Sequence, residues 1–205
     1  MDVSLKHIIG TIALIGVVIS ASLTYMIITS HVEADVLKSQ LNQIAEYVAL
    51  NLAEIVNLAS FEASSKYAMI KKLNLPSDLA GKTYKMELTN ESDGSYWIKV
   101  SLIANPNVFS ASSIPINATQ LRARVVFVTN LTEPYFLSVT HVNAKILPVI
   151  GESNVQYSPT VYGGTQEIYD ASGQISELRY VIVWGWKYSS TIVWAGLGLW
   201  KTAGG

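Results

Sequence analysis

Residues 8–30 read IIGTIALIGVVISASLTYMIITS, an unbroken run of 23 residues without a charged side chain. A helix of that length crosses a hydrocarbon core of about 30 Å. Lys6 and His7 precede the run, whereas the first charged residues after it are acidic, which predicts a cytoplasmic N-terminus with the rest of the chain outside. A cleaved secretory signal is the alternative reading, with Ser20-Ala21-Ser22 as its small-residue cleavage site.

A second helical pattern follows this run. No Pro or Gly occurs between residues 31 and 72, and apolar residues recur there at spacings of three and four, as on one face of a helix. The stripe comprises Leu37, Leu41, Ile44, Val48, Leu52, Ile55 and Ala59. The pattern predicts one hydrophobic and then amphipathic helix over residues 11–72, preceded by a short leader or cytoplasmic N-terminus at residues 1–10.

The composition excludes several classes of function. Only 14% of the 205 residues are charged, against about 25% in ordinary soluble domains, so part of the chain is expected to be covered by lipid or by partners. A net charge of −1 provides no basic field for nucleic acid. The absence of Cys excludes disulfide frameworks, thiolate metal sites and cysteine nucleophiles.

Residues 73–205 are predicted to form a β-rich head. Tyr84, Met86 and Leu88 alternate with polar residues, which is the period of a half-buried strand. Further strands are predicted near residues 96–102, 121–128, 135–142, 146–150, 155–162, 175–186 and 191–200. The uncharged stretch 101–121 is expected to be a covered loop or strand. The predicted fold class is therefore α+β, a long N-terminal helix followed by a β-sandwich-like head.

Three Asn-x-Ser/Thr sequons lie in or beside predicted loops of the head, at Asn90, Asn117 and Asn130. On the side predicted to be extracellular they are candidate glycosylation sites. Plain Asn- and Thr-rich turns are the alternative.

The C-terminal region is rich in tryptophan. Trp184, Trp186, Trp194 and Trp200 fall within 17 residues that carry only one charge, Lys187. Large aromatic side chains chiefly supply buried area, so we expect these residues in the head core or in a subunit interface. An exposed carbohydrate-binding row is the alternative.

Residues that could carry chemistry are sparse. The three histidines lie on different predicted elements, and His141 alternates with apolar residues of a strand. Gly163-Gly164-Thr165 lacks the Lys and the following helix of a phosphate-binding loop. The sequence thus predicts no catalytic residue, metal site or cofactor site. It also contains no residue that would support a membrane-anchored hydrolase.

The whole arrangement resembles archaeal type IV pilins and pilin-like proteins, a group that includes archaellins. A Lys-bearing leader ends in Gly10, an apolar helix begins at Thr11, and a β-rich head bearing sequons follows the amphipathic continuation. The resemblance implies peptidase cleavage between Gly10 and Thr11. Ile8 and Ile9 separate the basic pair Lys6-His7 from that position, which departs from the family pattern.

Two functions remain open at this point. In the first, the chain is a structural subunit of a surface filament that inserts in the cytoplasmic membrane before assembly, polymerises with its own copies through the helix, and mediates adhesion to a surface layer or glycans. The expected polymerisation interface comprises Ile12, Ile15, Val18, Ile19, Leu37, Leu41, Ile44, Val48, Leu52 and Ile55. In the second, the chain is an uncut, membrane-anchored accessory protein whose head binds a pilus, an archaellum or the surface layer.

Overall fold

The N-terminal part of the chain is one continuous α-helix, α1, which spans Asp2–Phe61. The computed structural model describes residues 2–61, 67–92, 94–116, 121, 123–129, 155–164, 166–169 and 174–203. The helix ends earlier than the expected residue 72, because Tyr67–Lys72 form a strand instead. Every residue of that strand pairs with a partner strand, so sheet hydrogen bonds override a local sequence that contains no helix breaker.

Ten strands follow the helix in the described residues. They are β1 Tyr67–Lys72, β2 Tyr84–Asn90, β3 Tyr96–Leu102, β4 Phe109–Ser113, β5 Arg124–Phe127, β6 Val155–Tyr157, β7 Thr160–Tyr162, β8 Gln166–Tyr169, β9 Ile175–Ser189 and β10 Ile192–Ala203. A six-stranded sheet has the order β1-β9-β10-β5, with β6 also paired to β10 and β8 to β9. A four-stranded sheet has the order β4-β3-β2-β7. The α+β fold class, with a β head after one long apolar helix, is confirmed.

The long hairpin of β9 and β10 forms the centre of the six-stranded sheet. The two strands pair antiparallel from Ile192 and Ser189 to Ala203 and Glu177. The middle of both strands is buried on both faces, as the uninterrupted apolar sequence requires. The hairpin therefore carries most of the core of this sheet.

The predicted strand at residues 155–162 is two strands in different sheets. Tyr157 at the end of β6 pairs with Gly198, whereas Thr160 at the start of β7 pairs with Glu87. Pro159 lies between them and cannot donate a ladder hydrogen bond, so the chain leaves one sheet there and enters the other. Its carbonyl accepts a 3.0 Å hydrogen bond from the Leu88 amide, which joins the crossing to the four-stranded sheet.

The chain divides into two compact units, residues 1–38 and 39–205. The second unit contains both sheets and the C-terminal part of α1, so the head begins at residue 39 rather than at the expected residue 73. Its helix segment packs tightly on β9, because a Cβ added at Gly185 would lie 2.7 Å from Cγ2 of Ile55. The predicted strands at residues 135–142 and 146–150, with His141, lie outside the described residues.

Candidate functional site

Most of the first unit is helix whose apolar side chains are exposed on every side, although Leu37, near its end, is buried. Each residue from 9 to 33 is exposed, and the large side chains among them have half or more of their surface free. Ile12, Ile15, Val18 and Ile19, four residues of the expected interface, are among these exposed side chains. One helix of the described residues is long and apolar enough to cross a membrane, and it includes this segment. An apolar surface of this extent is stable only when lipid or other protein shields it from water.

Five hydroxyl side chains of this segment make hydrogen bonds within the helix. The hydroxyls of Thr11, Ser22, Thr24 and Thr29 each donate to the carbonyl four residues earlier, and Ser30 donates to Ile27, at 2.8–2.9 Å. A hydroxyl bonded in this way carries little cost into an apolar environment. The segment can therefore be covered on all sides without leaving these five hydroxyl groups unpaired.

The second part of the expected interface lies in a different environment. Leu41, Ile44, Val48, Leu52 and Ile55 are buried within the head, and Leu37 is also buried. Their expected place between copies of the chain is therefore corrected, because the head covers its own helix segment with two sheets. The stripe does predict burial, but its partner is the same chain.

A second apolar row remains on the outer face of this helix segment. Tyr47, Leu50, Leu58 and Phe61 are 40–59% exposed. Together with Glu54 they recur at spacings of three and four, so they follow one another along a single face. The sequence reasoning missed this row because the longer stripe dominates the same helix, although its period was visible in the sequence. We call Tyr47, Leu50, Leu58 and Phe61 the outer row.

Three of the four C-terminal tryptophans form a buried cluster in the head. Trp184, Trp186 and Trp194 are at most 3% exposed, and the ring of Trp184 meets that of Tyr157 edge-on at 4.7 Å. Gly196 makes room for Trp184, since a Cβ there would lie 2.8 Å from the indole. Trp200 is only partly buried, and Nζ of Lys72 lies 4.5 Å from its ring centroid. The three buried indoles are core residues and do not form an exposed carbohydrate-binding row.

The remaining candidate residues lie apart from these clusters. Gly10 and Thr11 are exposed and lie inside α1, at the expected cleavage position. Asn90 is exposed at the end of β2, where a glycan has room. Asn117 and Asn130 lie outside the described residues.

Comparisons with known proteins provide no family for this chain. No family model, no curated protein and no solved structure matches it.

Shifted pKa values in the head have structural causes. Burial raises the pKa of Tyr84 and of Tyr157, and the charge of Asp78 adds to the effect at Tyr84. A hydrogen bond from Arg179 lowers the pKa of Glu177. The part of the chain that the structure describes contains no group of three or more His, Cys, Asp or Glu able to hold a metal ion. These shifts accompany core packing and surface ion pairs.

Proposed function

We propose that this chain is a structural subunit of an archaeal type IV pilus-like extracellular filament, which polymerises through α1 and carries its β head outward. One observation carries the proposal. Residues 9–33 expose apolar side chains all around the helix, while the stripe on residues 41–59 is already covered by the head. A lone membrane anchor accounts for the first segment only, whereas the exposed outer row on the head also needs a partner.

Assembly would exchange lipid for protein around the same helix. Before assembly, residues 8–30 lie in the cytoplasmic membrane with the N-terminus inside. In the filament, copies of the helix cover one another, with Gly10 and Gly16, both exposed and without a side chain, allowing close approach. In this proposal the outer row lies above the membrane, where contact between copies withdraws apolar area from water. Each Å² withdrawn stabilises the assembly by about 25 cal/mol.

In this proposal the heads form the outer surface of the filament and mediate attachment. Asn90 is exposed on the head and would carry a glycan outward. A glycosylated, weakly charged surface fits contact with a surface layer or with the glycans of other cells.

A matched pair of substitutions tests the polymerisation interface. Leu50 is 59% exposed in the outer row, whereas Leu52 is fully buried two residues later. We expect Leu50→Asp to leave the head folded and abolish filaments, because it places a charge between copies. Leu52→Asp should unfold the head itself, since it buries an unpaired charge. Electron microscopy of material sheared from cells, with near-ultraviolet circular dichroism of the purified chain, reads out both effects.

The control is Ser113→Asp, which adds the same charge to an exposed position on β4. Filaments of normal number and length in Leu50→Asp would contradict the proposal.

N-terminal mass spectrometry of native material distinguishes the filament subunit from the second candidate, the anchored accessory protein. A start at Thr11 supports filament processing, whereas a start at Met1 in a membrane-bound monomer supports the accessory role.

A further inference from the structure

Strand β4 lies at one edge of the four-stranded sheet, where it pairs with β3 only. The carbonyl of Val108, just before β4, and the amide of Ile114, just after it, both bond to β3. Backbone groups alternate in direction along a strand, so the even-numbered residues between them also face β3. The amides and carbonyls of Phe109, Ala111 and Ser113 therefore point away from the sheet. Among the described residues, no backbone hydrogen bond reaches them.

β4 also lacks the features that keep an edge strand from pairing with another chain. Such features are charged side chains, Pro, a β-bulge or a very short strand. β4 has five residues, none of them charged or Pro, its register with β3 is unbroken, and it lies in the uncharged stretch 101–121. Every other edge strand among the described residues has such a feature: Lys71 and Lys72 in β1, Arg124 in β5, a length of three residues in β6 and β7, and Glu167 with a register shift in β8. β4 is therefore the edge that can accept another strand.

Both faces of β4 are held in place by side-chain contacts. On the inner face, Oγ of Ser110 donates a 2.9 Å hydrogen bond to Oδ1 of Asn42 of α1. On the outer face, Nζ of Lys99, a residue of β3, lies 4.7 Å from the ring centroid of Phe109. This ring therefore lies over β3 and not across the free edge. A strand that is already ordered loses little conformational entropy when it pairs.

We propose that β4 pairs edge to edge with β4 of a second copy, antiparallel and centred on Ala111. The sequence Ser110-Ala111-Ser112 reads the same in both directions, so this pairing places Ala111 opposite Ala111 and each Ser110 opposite Ser112 of the other copy. Phe109 then lies opposite Ser113, a large side chain facing a small one. The three residues whose backbone groups point outward each donate and accept one hydrogen bond across the pair.

The charges around β4 permit this pairing. Like charges directly opposite each other on neighbouring strands are unfavourable, and the charged residue nearest to the centre of β4 is Lys99, opposite Ala111 on β3. Lys99 of the second copy would lie three strand spacings away, about 14 Å. That distance exceeds the Debye length of about 8 Å at physiological ionic strength. On its other side Lys99 lies opposite Glu87, which offsets its charge. A second copy therefore meets a neutral edge that is complementary to its own.

The pairing relates the two heads by a two-fold axis, because each β4 makes the same contact with the other. In a filament whose heads lie outside and all have the same polarity, such a contact cannot recur between neighbouring subunits. It joins the heads of two adjacent filaments instead. This last step rests on the filament proposal, whereas the pairing of two heads does not.

Disulfide cross-linking of the full chain in a phosphocholine detergent tests the pairing, because the chain contains no Cys and the detergent covers the apolar helix. Opposed residues of such a pair have Cα atoms about 5.5 Å apart, within the range of a disulfide. We expect Ala111→Cys to link to itself on mild oxidation. Phe109→Cys alone should not, because its two copies lie about 14 Å apart, but a mixture of Phe109→Cys and Ser113→Cys should. Ser190→Cys, exposed in the turn between β9 and β10, measures chance collisions.

Two proline substitutions test the direction of the backbone groups. Ala111→Pro removes an amide that faces away from β3, where Pro is tolerated, so we expect the head to remain folded. Each copy loses one donor, so the association constant of the pair, measured by sedimentation in the same detergent, should fall about tenfold or more. Ser112→Pro removes an amide that faces β3, so it should lower the melting temperature further.

The same variants separate this contact from filament assembly. Ala111→Pro should leave filaments in normal number, but single instead of side by side in electron micrographs. Leu50→Asp should abolish filaments, yet Ala111→Cys in the same chain should still link in detergent. Filaments that lie side by side as often in Ala111→Pro as in the parent would overturn the joining of filaments through β4.

Three results would overturn the pairing itself. They are Ala111→Cys that links no faster than Ser190→Cys, Phe109→Cys that links alone as readily as in the mixture with Ser113→Cys, and Ala111→Pro that pairs as tightly as the parent chain. A thiol at position 111 that neither links nor reacts with a maleimide would also overturn it, because the edge would then be covered by the chain itself.

Discussion

Ala80 is the one non-glycine residue with positive φ, 51°, in the described part of the chain. It occupies the first central position of a two-residue turn whose second position is Gly81, with φ 75°. A left-handed conformation costs a residue with a Cβ about 1–2 kcal/mol, and Gly avoids this cost. The two backbone hydrogen bonds between Leu79 and Lys82 hold the turn in this conformation.

We expect Ala80→Gly to raise the free energy of unfolding of the head by about 0.5 kcal/mol, since relief of strain exceeds the extra freedom of Gly when unfolded. Gly81→Ala, the reverse change one residue later, should lower it by about 0.5 kcal/mol, because the same two terms act with opposite sign. Urea denaturation followed by fluorescence of the buried tryptophans measures both. A stabilising Gly81→Ala would show that the turn geometry is wrong.

Tyr84 links a buried hydroxyl to the pH dependence of stability. Its hydroxyl donates to the Pro76 carbonyl at 2.5 Å, and its pKa is raised, first by burial and then by the charge of Asp78. The folded chain therefore keeps this proton above the ordinary tyrosine pKa of about 10, where the unfolded chain loses it. The contribution of this raised pKa to the free energy of unfolding is fully present below about pH 10 and is lost as the pH rises further.

We expect Tyr84→Phe to cost about 1 kcal/mol at neutral pH, through the lost hydrogen bond, and to flatten the loss of stability above pH 10. Part of the alkaline loss should persist, because burial also raises the pKa of Tyr157. Urea denaturation between pH 8 and pH 11 measures the slope, with exposed Tyr162→Phe as the control. An unchanged alkaline slope in Tyr84→Phe would exclude this residue as its source.

At the scale of elements, strand β9 supplies the basic side chain that the C-terminal end of α1 lacks. The last turn of α1 contains no basic residue. Lys187 of β9, only 5% exposed, donates from Nζ to the Ser60 carbonyl at 3.2 Å. A cation at a helix C-terminus is favourable because the terminal carbonyls carry partial negative charge. Lys187 thereby couples the helix end to the central hairpin.

Replacing Lys187 by Met keeps the length of the side chain but removes its charge and its donor. We expect the free energy of unfolding of the head to fall by about 1–2 kcal/mol, in the range of a partly buried cation at a helix end. Lys38→Met, at an exposed position on the same helix, should change it by less than about 0.5 kcal/mol. Equal losses in the two variants in urea denaturation would refute the capping role.

At the scale of the whole molecule, the hydrophobic core and the exposed apolar helix belong to different units. Both sheets and the helix segment they cover lie within residues 39–205. We expect a chain that begins at Asp35 to be folded and soluble without detergent, with the acidic residue placed favourably at the new helix N-terminus. Circular dichroism and sedimentation measure this outcome. A truncated chain that stays unfolded would show that residues 1–34 belong to the head core.

The sequence predicted elements well where one local pattern decided the structure. The apolar run at residues 8–30 and the stripe beyond it predict a helix. The alternation at Tyr84–Leu88 and the apolar runs at residues 180–186 and 192–200 predict strands of the head. It failed at residues 67–72 and at 155–162, because pairing with β9 and the crossing at Pro159 depend on residues distant in sequence.

By itself the sequence determined that this protein has a long apolar helix, a β-rich head and a shortage of charge, because composition and period are local properties. Only the tertiary structure decided which apolar face is free. The stripe with the stronger period, Leu41 to Ala59, is buried in the head, and the weaker outer row is exposed. Both rows have the same helical period, so the difference arises from the two sheets that cover one face of the helix and leave the other uncovered.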